Sequence, residues 1–343
     1  MPSVSPDLVH IGSYTAKAGT AQAITAWRQD PRTGRLEPAH PPVEAVDPSW
    51  LAWHPAGTHL YAASESAAQV LSYAVTEDGL RLLGALPSGG DDPCHLAVDP
   101  QGRFVVAANY SGGSVAVFAI GADGALLPYH QLVAHDGSGP DPERQQGPHA
   151  HMALLGPDGL LYVSDLGTDE VRSYAVEPEG LRHVATSPLI AGMGPRHLAF
   201  HPSGTVFVAG ELDSTVVVCE VGDGRLRPVS AVAATAGEPG ERNYPSHLEC
   251  SPDGQFLYVA NRGADCLTVF AVAGGALRPV ADVPVGRWPR HFALLGDFVY
   301  AAGQDGDTVT VYRRDPVTGI PSPTGDTITV PNPTCVLPAP ARV

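Results

Sequence analysis

The sequence predicts an all-β fold, a seven-bladed β-propeller with four antiparallel strands per blade, and three observations carry that prediction. A Pro-led segment recurs seven times, at Pro48 (PSWLAWHPAG), Pro93 (PCHLAVDPQG), Pro148 (PHAHMALLGPDG), Pro195 (PRHLAFHPSG), Pro245 (PSHLECSPDG), Pro289 (PRHFALLGD) and Pro333 (PNPTCVLP). Successive spacings are 45, 55, 47, 50, 44 and 44 residues, the range of one four-stranded blade. Finally, 38 Gly and 34 Pro in 343 residues demand many turns and leave no room for long helices.

Each unit supplies its strands in a constant order. The Pro-led run is the first strand, closed by a turn such as HPSG or SPDG. A second apolar run follows: LVHIGS, LYAASE, FVVAAN, LLYVSD, VFVAGE, FLYVAN and VYAAGQ. The third is AITAWR, QVLSYAV, SVAVFAI, EVRSYAV, TVVVCEV, CLTVFAV or TVTVYRR. Turns such as TEDG, GADG or EPEG then lead to a fourth strand beginning on Leu. The chain starts inside a unit, at the second strand Leu8 to Ser13, and stops on a first strand, Thr334 to Leu337. Pairing these two ends in one blade would seal the ring and remove exposed edges, so residues 1–343 read as one domain.

Charge and cysteine usage narrow the function. A net charge of −16 argues against nucleic acid or an anionic membrane as partner, since phosphate backbones need a basic face. Lys17 is the one lysine, so almost all positive charge is arginine. Five dispersed cysteines without C-x-x-C spacing read as free thiols in a reducing compartment. The N-terminus MPSVSPDLVHIGSYT lacks a basic start and an apolar stretch, so no signal peptide is expected and the placement is cytoplasmic. No obligate protein partner is evident.

Candidate chemistry gathers at the strand ends. His95, His197, His247 and His291 follow the leading Pro by two residues, with Trp50 in another unit and both His149 and His151 in the PHAH segment. A histidine recurring in most units fits a structural hydrogen-bonder, which is the reading of His95, His247 and His291. The second strands end on Ser13, Glu65, Asn109, Asp165, Glu211, Asn261 and Gln304, expected as a polar ring at one height. Of these, Glu65, Asn109, Asp165 and Glu211 could alternatively hold a hard cation.

Departures from the repeat are more informative. Arg196 and Arg290 stand where other units have Cys94 or Ser246, and Arg262 follows Asn261. Arginine is costly to bury alone and matches phosphate or carboxylate, so the three suggest a small anionic ligand, with an Arg196–Glu211 ion pair as the plain alternative. His149 and His151 flank Ala150 and would share a strand face; a general base fits them better than zinc, for which no third ligand is spaced. The longest insertion, HDGSGPDPERQQGPHAH, leads into these histidines, and TAGEPGERNYPSH leads similarly into Pro245. Nucleophile-elbow, Walker and dinucleotide motifs do not occur in their required contexts.

The runs DPCHLAVDPQGRFVVAANYSGGSVAVF, GPHAH with PDGLLYVSDLGTDEV, GPRHLAFHPSG with GELDSTV, and SPDGQFLYVANRGADCLTVF resemble the bacterial 6-phosphogluconolactonase family, as does the opening IGSYT. The likeness spans essentially the whole chain. It implies a seven-bladed propeller that hydrolyses 6-phosphogluconolactone without an obligatory cofactor; related fungal propellers interconvert carboxymuconate and its lactone. It further implies catalytic roles for His149 or His151, Arg196 and Glu211, with Arg262 and Arg290 binding substrate. Asn109, Asp165, His197 and His247 complete the expected pocket. A non-enzymatic propeller binding a protein or metabolite, and a cation-dependent sugar lactonase, are the competing readings.

Overall fold

In a computed structural model of the chain, residues 3–16, 22–240 and 242–340 are described; Lys17 lies outside them. Seven four-stranded antiparallel sheets succeed one another around a central channel. The second strand of each sheet lies between both neighbouring blades, so Phe104–Asn109 and Phe298–Gly303 are buried at every residue. Fourth strands lie outermost, and Arg225–Ala233 is mostly exposed. Apolar cores join each pair of adjacent blades. One combines Val106, Ala108 and Val115 with Leu161 and Val163, and the last joins Tyr300 and Val309 to Ile11 and Val336. In the third blade the outer strand is only Gln131–Ala134, although Leu127 and His130 still donate to the Ala119 and Val117 carbonyls of its neighbour.

Closure follows the predicted scheme. Pro333–Pro338 pairs antiparallel with Leu8–Ser13, matching Ile11 to Val336, and becomes the innermost strand of the blade completed by Gln22–Gln29 and Leu36–Glu44. Trp53 Nε1 in the next blade donates to the Pro338 carbonyl at 3.0 Å, fastening the junction. A chain ending at Asn332 would leave Leu8–Ser13 as an open apolar edge and strip one side from two inter-blade cores. Such a truncation is expected to lose its single cooperative thermal transition. Melting in one step at the full-length temperature would show that this strand does not close the ring.

Candidate active site

Every innermost strand carries a β-bulge just after the proline at or next to its start, or after Ala150 in the inserted unit. The pairing skips Ser49, Cys94, His151, Ser246, Arg290 or Thr334, and in one strand Arg196 together with His197, and a bulge re-aims such side chains out of the ladder. The preceding turn is tight: Asp47, Asp92, Gly194, Trp288 and Asn332 all have positive φ, between 42° and 58°. A second ring lies alongside. The backbone N–H groups of Tyr14, Glu65, Tyr110, Leu166, Glu211 and Gln304 donate to the residue before the bulged strand, and Arg262 holds the same place opposite Tyr244.

These two rings correct the expected polar ring, which mixed two levels. Glu65, Glu211 and Gln304 belong to the rim, but Ser13, Asn109, Asp165 and Asn261 precede it by one residue, and in a strand one residue reverses the face. Asn109 accordingly donates inward to the Ser88 carbonyl and Ser114 hydroxyl, each at 3.1 Å. The four proposed cation ligands therefore do not converge. Among the described residues no three His, Cys, Asp or Glu side chains form a group able to hold a metal ion.

Glu211 is the centre of the site. Its Oε1 accepts from Arg144 Nη2 at 2.7 Å and its Oε2 from Arg262 Nη2 at 2.6 Å. Arg196 Nε sits 2.9 Å from Oε2 as a charge contact whose N–H is not aligned on the oxygen. Burial works against the Glu211 carboxylate, yet Arg262 and Arg196 outweigh it and hold the carboxyl well below its usual range. Burial and then the charge of Arg262 pull Arg196 down to about 9, with Glu211 opposing, so it remains a cation at neutral pH. Its Nη1 donates to the Ser246 carbonyl, and Nη2 has no hydrogen-bond partner among the described residues.

A second acidic group lies three blades away on the rim. Tyr14 Oη is 2.8 Å from both oxygens of Glu65, and Arg290 Nη2 is 3.7 Å from Oε2. The Arg290 guanidinium also lies over the Tyr14 ring, 5.0 Å from its centroid. Four guanidiniums thus meet two carboxylates, an excess of two positive charges in a strongly acidic protein.

The histidines divide by level. His149 precedes its strand, stacks on Tyr110 at 4.5 Å, and has Nδ1 3.0 Å from the Tyr110 carbonyl. A carbonyl only accepts, so Nδ1 carries a hydrogen. His151 occupies the bulge, equivalent to Arg196 and Arg290, so the two histidines do not share a strand face as alternation predicted. Burial, followed by the charge of Arg196, holds His151 well below the usual imidazole range. Beneath them Trp50, His95, His197, His247 and His291 stack face and edge into a plug, with centroid separations from 4.1 to 6.3 Å. His197 Nε2 faces the Arg196 Nη1 donor at 3.2 Å, so its Nδ1–H donates to His247 Nδ1 at 2.9 Å. His197 and His247 support the site from below, through Arg196.

A profile of the seven-bladed β-propeller lactonases matches residues 8–338. The chain belongs to this lactonase family. It is 34% identical over 213 residues to the 6-phosphogluconolactonase of Bacillus subtilis, a match covering 60% of this chain and 61% of that protein. The chain spans a little under two thirds of the length of the curated relatives it matches. The periplasmic gluconolactonase of Pseudomonas aeruginosa superposes with a TM-score of 0.89 at 32% identity, covering 97% of this chain and 99% of that one. A Lactobacillus plantarum protein superposes at 0.91 with 33% identity, covering 96% and 98%.

In this lactonase-family chain the repeat alone does not reveal Arg144, which arrives from the long insertion. Asp165, expected at the pocket, instead clasps both ends of that insertion. Its Oδ2 bonds His135 Nδ1 at 2.6 Å, and its Oδ1 accepts from the His149 N–H at 2.7 Å. Within the loop Gln145 Nε2 donates to the Leu166 carbonyl and Asp169 Oδ1, both at 2.8 Å, placing its neighbour Arg144 over the rim. Tyr14 and Tyr110 occur in the sequence only within the IGSYT and FVVAANYSGG runs, which carry no sign of a role at the rim. The available signal for Arg144 was its being the lone basic residue of the insertion.

Proposed function

We propose that the chain hydrolyses an anionic sugar lactone, with 6-phosphoglucono-1,5-lactone as substrate and 6-phosphogluconate as product. The observation that carries this reading is the two-charge excess of guanidinium over carboxylate at the channel mouth. A phosphate monoester carries roughly −1.5 to −2 at neutral pH and accepts paired N–H donors from arginine. The name of the Bacillus subtilis relative supports the phosphorylated substrate, and that of the Pseudomonas aeruginosa protein supports lactone chemistry more broadly.

In this reading Arg144 and Arg262 hold the phosphate while the lactone carbonyl lies near Arg196 and His151. A water oxygen bonds to the carbonyl carbon, its proton passes to neutral His151, and the carbonyl pair moves onto oxygen beside the free Nη2 of Arg196. Collapse breaks the ring C–O bond, and the proton on His151 returns to the leaving ring oxygen. The incoming phosphate offsets the arginine charges that depress His151, making it a stronger base once substrate is bound. Glu211, tied to three guanidiniums and held ionised, positions them rather than accepting the proton.

The test is hydrolysis of phosphorylated and unphosphorylated gluconolactone, corrected for spontaneous opening. The phosphorylated lactone is expected to have the higher kcat/KM, and Arg262→Ala is expected to erase most of that preference. His151→Asn should lower kcat on both lactones by roughly 10²–10⁴-fold, the usual contribution of a general base. Turnover no faster than spontaneous opening, or indifference to the phosphate, would remove this reading.

A further inference from the structure

The two rim carboxylates are satisfied to different degrees. Both oxygens of Glu211 are occupied by arginine donors. Glu65 receives a single phenolic hydrogen, shared between its oxygens at 2.8 Å each, and its arginine neighbour stands off at 3.7 Å. An ionised carboxylate offers about four lone-pair positions, so most of the acceptor capacity of Glu65 is open. Its side chain is 21% exposed, against 5% for Glu211. Nor is it a free surface acid: Tyr14 fixes both oxygens, and Arg290, itself a bulge residue, lies over the Tyr14 ring. The result is an oriented acceptor at the mouth, across the channel from the Glu211 arginines.

Resting on the lactone reading above, we infer that Glu65 is the residue that reads the sugar hydroxyls. Two adjacent hydroxyls of a polyhydroxylated lactone donate one hydrogen bond to each carboxylate oxygen while the phosphate lies on the opposite arginines. Its charge repels a lactone that carries carboxylates in those positions, and its unmet lone pairs disfavour one that carries hydrogens there. Sites built around a hydroxyl reject the analogue lacking it more strongly than apolar pockets discriminate a missing methylene. Tyr14 and Arg290 are positioning residues for this carboxylate.

The test uses stable ligands, so that it is separate from turnover. Calorimetric titration compares 6-phosphogluconate with 6-phosphohexanoate, which keeps both anionic ends and lacks the hydroxyls. Wild type is expected to bind the hydroxylated ligand at least about tenfold tighter, and Glu65→Gln to lose most of that ratio while binding 6-phosphohexanoate no more weakly. Tyr14→Phe retains the carboxylate but frees it, and should reduce the ratio in part; it also serves if Glu65→Gln fails to fold. Equal wild-type affinity for both ligands, no binding of 6-phosphogluconate, or an equal loss for both ligands in Glu65→Gln would overturn the inference. Absence of lactone hydrolysis by wild type would remove the lactonase reading while leaving this ratio to stand or fall by itself.

Discussion

Glu211→Gln is expected to abolish detectable lactone turnover and to lower the thermal midpoint of the folded chain by several degrees. The substitution preserves shape while removing one charge and turning one of the two acceptor oxygens into a donor, so it loses both the counter-charge and one arginine hydrogen bond. In the native protein the carboxylate lies within 2.6–2.9 Å of nitrogens from Arg144, Arg196 and Arg262. Arg196 and Arg262 are nearly inaccessible, with side chains 3% and 8% exposed, so water cannot replace the lost counter-charge. Removing one partner of a buried ion pair costs about 3–5 kcal/mol, because the remaining charges stay desolvated and repel each other. At about 2 °C per kcal/mol for a large domain, the midpoint should fall by roughly 6–10 °C. On the proposed mechanism activity should fall for a related reason: without Glu211 the guanidiniums separate, and both the proposed phosphate clamp and the proposed Arg196 contact to the oxyanion would lose their geometry. Inorganic phosphate supplies the discriminating control. It should raise the midpoint of Glu211→Gln more than that of wild type, since an added anion restores the missing charge. An unchanged midpoint together with wild-type turnover would show that the arginines do not depend on this carboxylate.

Which parts of this arrangement were readable beforehand follows from where periodicity reaches. Strand order and ring closure come from the spacing of Pro-led segments and from a chain that starts on LVHIGS and ends on TCVL, and both survive small errors of register. Arg196 and Arg262 stood out because each breaks the repeat, Glu211 because it could pair with Arg196, and the structure gathers all three in one ion-pair network. Register at the rim was less legible. The strand signal runs through Asn109 and Tyr110 without marking where the pairing ends, so Asn109 and Asp165 were placed at the mouth although their side chains turn into the blades. The bulge had no signature of its own, which hid the equivalence of His151 with Arg196 and Arg290. Arg144 illustrates a different limit. Its position depends on Asp165 and Gln145 folding back an insertion that has no counterpart in other blades, and nothing periodic could report it.

Mild acid should unfold this protein steeply, because six imidazoles buried in the fold resist protonation in place when no ligand is bound. Burial drives His10 and His291 down to about 3 and holds His95, His151, His197 and His247 well below the usual value of 6.5. Within the plug, Arg196 and the neighbouring histidines push in the same direction. In the unfolded chain each of the six titrates near 6.5, so below that pH the unfolded state binds more protons than the folded one. Stability therefore rises with pH across this window and is lost as pH falls from 6.5 toward the depressed folded values. Each group costs about 1.4 kcal/mol per pH unit, hence on the order of 8 kcal/mol per unit for the set. Against a typical total of about 5–15 kcal/mol, folding should fail within one to two units, between roughly pH 6 and 4.5. Glu249 has the opposite sign. Burial raises its carboxyl to about 8, so its contribution is full below 4.5 and lost as pH rises toward 8, but it is one group against six. Urea midpoints measured between pH 4 and 8 should fall sharply below 6.5, with several protons taken up on unfolding near pH 5.5. His247→Gln removes one such group and should lower the uptake by about one proton. If the midpoint were flat from pH 7 to 5, the imidazoles of the plug would have to accept protons while folded, and the stacked channel described here would be wrong.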